Sequence, residues 1–489
     1  MTLMYYKFSQ IIQRYKNYRY SFFFLFALFL TLKIVKNYIQ TNSLSNLQSI
    51  ALLVFFLFSI TSDFDSLLKV IILNTYITIG FIKYFINLFP LLSSNKIIAF
   101  FALFFSIITS IIIDKKRLKA DIVIHLYLIF LIIGFFSAII NEVPLNATLF
   151  SLRYYIPFLL LYFALILNKC SIDSINVYLK LLIKIAYIQP IASIIIFILF
   201  GFKTGDHVGG TFGGFSTNTL NLFQCVSLVI ILSQRKEQIS LKTILITIYL
   251  FIPIILGNSR AGFVFYPLSI TLFQIFKNLV EGKMMRAVKQ SFIFLVVFSG
   301  FVFVAFHSNL AKQLNIADTL EMLSDTNKVV KYNTNISDSG MIGRFAQPAY
   351  MHKMLTNDIK SFFIGYGMGT LEYGERTNIA GPLRKKYGNL LPRKGFFKVG
   401  IETGYLGITL MSLIFLFPFK ILIKIKTIKS KKIKSVYLPG LMTITIILLL
   451  GMFYSDGILS LPAIYFWLLL YYFSSLFNNS EPSSKQQVV

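Results

Sequence analysis

Acidic side chains are scarce: Asp and Glu number 19 against 47 Lys and Arg in 489 residues. Charges of both signs make up 13% of the chain, about half the share usual in soluble domains. So few charges cannot cover the water-facing surface of a soluble fold of this length. Cysteine is nearly absent as well. The 2 thiols, Cys170 and Cys225, lie in or beside apolar runs and provide no disulfide or metal framework. The 4 histidines, His125, His207, His307 and His352, lack ligand spacing such as His-Glu-x-x-His. There is no Ser-His-Asp arrangement, no paired acidic motif and no phosphate loop ending in Lys-Ser or Lys-Thr. No cofactor and no metal is therefore expected. If the chain is an enzyme, arginines dominate its chemistry. The first apolar run lacks a small-residue cleavage site and reads as a retained span, not a removable leader.

What is present is apolar. Hydrophobic residues make up 56% of the chain and come in continuous runs near the roughly 20 residues that cross a bilayer. Inside lipid every backbone group must be satisfied internally, and continuous rather than alternating runs select helices over a barrel. The expected fold is all-α: a polytopic integral membrane protein with about 14 transmembrane helices and one large extracytoplasmic loop. Spans are expected at Ser21–Tyr38, Leu47–Ser62, Leu67–Phe89, Lys96–Ile113, Asp121–Ile140, Leu149–Asn168, Ile175–Phe200 and Ser216–Ser233. Further spans are expected at Thr243–Gly257, Ala261–Phe276, Gln290–Phe306, Phe396–Phe417, Val436–Tyr454 and Gly457–Ser475. Residues 1–306 would then hold eleven spans, 307–395 the large loop, 396–476 the last three spans and 477–489 a cytoplasmic tail.

The formal charge of +28 would suggest nucleic acid in a soluble protein. Here most of the excess falls in short loops, such as 115–119, 235–236, 277–289 and 424–434. There it orients helices and meets anionic headgroups, so membrane lipids and not nucleic acid are the expected partner. With the N-terminus inside, the basic loops alternate with loops poor in Lys and Arg along the whole chain. Both termini are then cytoplasmic, and the loop from His307 to Lys394 is outside.

Several residues on the outer side invite chemistry. Arg260, in Gly257-Asn258-Ser259-Arg260-Ala261-Gly262, opposes the positive-inside trend at a break between apolar runs. It either snorkels to lipid phosphate or aims a guanidinium at a phosphorylated substrate. Arg153, at the outer start of a span, is either an aromatic-belt anchor or a substrate contact. The stretch Gly209-Gly210-Thr211-Phe212-Gly213-Gly214 follows no strand, and reads as flexible backbone approaching a sugar or a neighbouring helix. In the loop, Arg344 precedes an amphipathic stretch reaching Phe363, which breaks at Gly365-Tyr366-Gly367-Met368-Gly369. Arg376, Arg384-Lys385-Lys386 and Arg393-Lys394 follow: either a solvated basic face or forked donors suited to phosphate and pyrophosphate. Glu402, an ionisable residue early in an apolar span, is either a structural partner for an arginine or a substrate contact. Asp338, Asp358, Glu372 and Glu375 stay open as general bases.

Three segments, in order, resemble the bacterial O-antigen polymerase and O-antigen ligase superfamily: Gly210–Asn218, then Ser259-Arg260-Ala261-Gly262, then the loop. Within the loop the likeness is carried by Arg344, by Gly365-Tyr366-Gly367-Met368-Gly369 and by Glu402-x-Gly404-x-x-Gly407. Arg153 also sits where members often have an arginine. Ligase members typically have a histidine nine residues before this glutamate; here that residue is Arg393, so the likeness leans to the polymerases. The resemblance implies metal-independent glycosyl transfer outside the cytoplasmic membrane, on undecaprenyl-pyrophosphate-linked glycans. It implies catalytic roles for Arg260, Arg344, Arg393 and Glu402, and substrate contacts for Arg153, Arg376 and Lys394. A chain-length regulator and a flippase of the same pathway would be partners. The other functions in view are ligation of the glycan to lipid A core and transport of lipid-linked oligosaccharide.

Overall fold

The structure, a computed structural model, describes residues 63–78, 121–202, 204–213, 216–235, 240–283, 342–344, 346–374, 379–388, 390–392, 395–423, 437–454 and 462–480. It also describes isolated positions in 102–111 and 285–296. The expected spans Ser21–Tyr38 and Leu47–Ser62 lie outside these residues, and Lys96–Ile113 and Gln290–Phe306 are touched only at isolated positions.

The chain is mostly helical and divides into two compact units, 1–119 with 160–181, and 120–159 with 182–489. The helices are α1 (Phe64–Leu73), α2 (Ile122–Ile140), α3 (Leu145–Leu167), α4 (Ile172–Leu199), α5 (Thr217–Ser233), α6 (Leu241–Leu256) and α7 (Arg260–Glu281). They continue with α8 (Gln347–Leu355), α9 (Ile359–Ile364), α10 (Pro382–Tyr387), α11 (Gly395–Ile423), α12 (Leu438–Tyr454) and α13 (Ala463–Ser480). Among the described residues five helices are long and apolar enough to cross a membrane: α2, α3, α4, α7 and the Gly395–Lys420 part of α11. The chain is a membrane protein of apolar helices. Helices α5, α6, α12 and α13 are apolar but shorter.

In the first unit α1 continues into a π-helical turn, Asn74–Thr78. The Asp65 carboxylate there accepts hydrogen bonds from Ser174 Oγ and Tyr178 OH, and Ser110 Oγ donates to Asn168 Oδ1 at 3.2 Å.

The second unit carries the features that matter for function. Helix α5 is buried from Leu220 to Ser233, packed by α6, α7 and α12, which is why its apolar run carries no charged face. Trp467 of α13 sits in an aromatic core with Tyr127, Phe158, Phe415 and Phe466. Helix α2 packs along α11.

Where the expectations differ from the structure, the reasons are local. Helix α7 runs to Glu281 instead of ending at Phe276. Beyond Phe276 come Lys277 and Asn278, polar yet buried, and Gly282, at φ 72°, ends the helix. The amphipathic stretch before Gly365 is two helices, α8 and α9, because Asp358 caps a new helix by accepting from Ser361 N. The described part of 307–395 is also not wholly helical. Tyr373 pairs with Ala380 and Gly374 with Ile379 in a short antiparallel ladder. That segment shares a small core with α11, in which Ile342, Met351, Leu355, Leu371 and Leu391 pack on Phe397 and Ile401.

Candidate functional site

The site begins with a broken helix. Gly404, inside α11, has φ 64° and ψ −166°, a region only glycine occupies at low cost. A helix that stops at Thr403 leaves carbonyls without intrahelical partners. The segment Gly365-Tyr366-Gly367-Met368-Gly369 satisfies them: Tyr366 N donates to Ile401 O at 2.7 Å and Gly367 N to Glu402 O at 3.1 Å. The approach is backbone against backbone. A Cβ on Gly404 would lie 2.5 Å from Gly365 N and from Phe363 O, and one on Gly365 would lie 2.5 Å from Gly404 N. The other side of the segment is fixed to α2. Met368 N donates to Gly134 O, and Gly365 O accepts from Ser137 Oγ and Asn141 Nδ2.

This arrangement fixes four charged side chains. Glu402 is fully buried. Its carboxylate accepts from Tyr155 OH at 2.7 Å, Gly369 N at 3.0 Å and Ser151 Oγ at 3.1 Å. Lys398, one turn earlier, lies 3.6 Å from Glu402 and bonds Glu372. Its ammonium is 4.1 Å from the Tyr154 ring centroid. Glu372 receives a second cation, Arg153 Nη2, at 3.2 Å. Two cations and two carboxylates thus alternate from the mouth of the site inward. A charge in an apolar interior is tolerable only when paired and hydrogen-bonded, and each of these is. The turns that deliver Glu372 are held by Gly381 N donating to Glu372 O and Arg384 N donating to Thr370 O.

Arg153 is the member that reaches solvent, its side chain 26% exposed. Its guanidinium stacks on Phe150 at 3.5 Å and faces Tyr154 at 4.8 Å. Nη2 also donates to Tyr154 OH, whereas Nε is buried without a partner. Glu372 and Tyr154 thus hold the guanidinium by Nη2, and Nε is enclosed.

Arg260 opens α7 behind its cap Ser259, whose side chain accepts from Gly262 N. Ser259 Oγ donates to Asn218 Oδ1 at 3.4 Å. A Cβ on Gly257 would collide with Thr217 Cγ2, and one on Gly262 would lie 3.3 Å from Asn221 Cγ. The glycine-rich stretch before α5 forms a 3-10 turn, Gly210–Phe212, held on α4 where Thr211 N donates to Gln189 Oε1. The turn thus packs on a neighbouring helix, with Gly210 also against Gln189 and Ser193 of α4. Asn221, Thr217 and Ser193 close by are buried with side-chain atoms that have no partner.

Arg260 and the ionic cluster share one end of the bundle. The first turns of α5 meet the α6–α7 corner. Its last turn meets the start of α12, where Gly440 faces Ile230 and Ser233. Helix α12 then returns, and Phe453 stacks on Phe396 at the start of α11 with centroids 4.9 Å apart.

Arg344 is half-buried one turn before α8. Arg376, Arg393 and Lys394 lie outside the described residues. Arg384 is nearly buried and donates to Gly388 O at 2.5 Å. Asp358 is exposed, and its carboxyl is held below the usual range because the Ser361 N–H and Oγ, both at 2.7 Å, donate to the charged form. Sequence reasoning singled out Glu402 and Arg153 but missed Lys398, Tyr155 and Ser151, and left Glu372 as one carboxylate among several. The i,i+4 spacing of Lys398 and Glu402 was the available signal. Among the described residues no three His, Cys, Asp or Glu side chains come together as a metal-binding group. No protein-family model matches the chain, and no curated protein matches it.

Proposed function

We propose that this chain is a membrane glycosyltransferase that polymerises undecaprenyl-pyrophosphate-linked oligosaccharide repeat units into a surface polysaccharide. In this reading it has about fourteen spans in the bacterial cytoplasmic membrane, both termini inside, and residues 307–395 form the outer loop. The observation that carries the reading is the pairing of the segments on which the sequence resemblance rests. Thr217, Asn218 and Asn221 pack on Gly257–Gly262, residues 365–369 lace onto Ile401–Gly404, and both pairs stand at one end of the same bundle.

The chemistry follows from charge. A pyrophosphate leaving group gains negative charge as the glycosidic bond breaks, and prepositioned cations lower that barrier. Arg260 and Arg344 would hold the pyrophosphate or glycan phosphate, with Arg393 at the reacting centre. Arg153, Arg376 and Lys394 would contact substrate. Arg153 suits this because Glu372 and two aromatic rings hold it while its side chain stays partly exposed. Glu402 acts in this proposal as a positioning group and not as a proton acceptor, because every direction around its carboxylate is occupied by a donor. A hydroxyl of a second lipid-linked unit attacks the anomeric carbon, the bond from that carbon to the pyrophosphate oxygen breaks, and the hydroxyl proton passes to the departing undecaprenyl pyrophosphate or to water.

The test is a reaction of purified protein with lipid-linked repeat units, without nucleotide. Elongation is expected, falling roughly 100-fold or more in Arg260→Ala and in Arg344→Ala, the cost of one lost oxyanion-type donor. Full elongation in both variants sinks the site. Transfer of glycan to lipid A core, or movement of unmodified substrate across vesicles, replaces the polymerase with a ligase or a transporter.

A further inference from the structure

Helix α9 is short, but its outward face does not look like that of a helix in water. Ile359 is 79% exposed and Phe363 48% exposed, and the two are one turn apart on one side. The inward residue Phe362 packs on Tyr405 of α11, with ring centroids 4.7 Å apart. The backbone of Phe363 lies against Gly404, so the exposed ring stands beside the first turn after the break.

From that turn onward α11 has an apolar outer row, with Leu406, Leu413 and Leu416 exposed and Lys420 at its far end. These positions recur at helical spacing and form the face that a spanning helix offers to acyl chains. Gly365 packs on Gly404, and its carbonyl accepts from Asn141 Nδ2, one residue past the end of the spanning helix α2. Gly404 therefore falls at the edge of the hydrocarbon, and α9 lies beside it. The apolar surface continues from Leu406 onto Phe363 and Ile359. Exposed Lys353 and Lys360 flank the patch, and the nearby acid Asp358 is occupied by Ser361.

The geometry points to α9 as an interfacial anchor: it seats Ile359 and Phe363 among the acyl chains of one leaflet, with Lys353 and Lys360 at lipid phosphates. This surface is built for bulk phospholipid, and the inference does not depend on the polymer chemistry proposed above. Its consequence is mechanical. Helix α9 runs directly into Gly365, so the segment that completes α11 and supports Glu402 is tied to the bilayer surface.

The experiment places a cysteine-linked, polarity-sensitive fluorophore at Ile359→Cys, Phe363→Cys, Leu406→Cys and Thr356→Cys in the full chain. The protein is reconstituted in phosphatidylethanolamine–phosphatidylglycerol vesicles. Cys170 and Cys225 are buried, and the parent protein supplies their background. Brominated acyl chains are expected to quench the probes at Ile359 and Phe363 as strongly as at Leu406, with blue-shifted emission. Aqueous iodide should quench the Thr356 probe alone. Iodide quenching at Ile359 with no effect of brominated lipid overturns the proposal. Shielding from both quenchers also overturns it, and shows that a protein surface covers the patch. Ile359→Cys is the decisive variant, because its side chain is free of the core.

Discussion

Two places in the second unit set glycine against a close neighbour where a helix breaks, and they stabilise the contact differently. At Gly404 the contact is sealed by charge: Glu402, Lys398, Glu372 and Arg153 form an alternating series closed by hydroxyls and a backbone N–H. At the corner around Gly257 and Gly262 the contact is neutral, lined by Thr217 and by Asn221, whose amide has no partner at either end. The difference lies in how many arrangements each can adopt. A charge series of this kind has a single good arrangement, whereas neutral groups with spare hydrogen-bonding capacity can accept a second arrangement or a polar guest.

Lys398→Met is the harshest test of that contrast. It leaves Glu372 and Glu402 without the cation between them, and loss of one partner from a buried pair costs about 3–5 kcal/mol. Thermal unfolding in detergent should show it as the largest loss in this set, with little folded protein recovered. A Lys398→Met protein as stable as the parent would show that the charges are not what seals the break. Gly404→Ala comes next. The backbone there is one that alanine resists, and Gly365 and Phe363 stand in the way, so a loss of about 3 kcal/mol is expected in the same measurement.

Asn221→Leu sharpens the comparison from the neutral side. Replacing a buried, unpartnered amide by an apolar group of similar size removes a desolvation cost, so stability should hold or rise by about 1 kcal/mol. A fall as large as that of Lys398→Met would mean that the corner, like the cluster, tolerates only one arrangement. The smallest effect is expected from Asp358→Ala, which removes the cap of α9 at a cost of about 0.5–1 kcal/mol. Because the carboxyl is held below its ordinary range in the folded chain, its contribution is complete above the usual carboxylate range. It is lost as the pH falls through the lowered folded value. Parent and variant should therefore differ in melting temperature at neutral pH and converge in acid.

How much of this was legible in the sequence depends on the range of the interaction. Apolar runs mark α2, α3, α4, α5, α6, α7, α11, α12 and α13, because lipid or core burial acts on each segment by itself. Helix ends were less legible. Lys277 and Asn278 of α7 are polar yet buried, and a rule based on apolar runs ends the helix too soon. Glu402 stood out because a carboxylate in an apolar run is costly wherever it goes. Its long-range partners did not, since Tyr155 and Ser151 reach it from a distant part of the chain. The contact of Gly365 with Gly404 was equally hidden: glycine signals that backbone can approach, but not which backbone.

The break at Gly404 has a consequence for ancestry and for engineering. Tyr366 and Gly367 supply the N–H groups that the missing turn of α11 would have supplied, so this stretch of the loop works as a borrowed turn of the helix. Excising the loop would uncover the carbonyls of Ile401 and Glu402 beside a buried carboxylate, and restoring a continuous helix would evict the loop. The two segments must be inherited, transplanted or lost together.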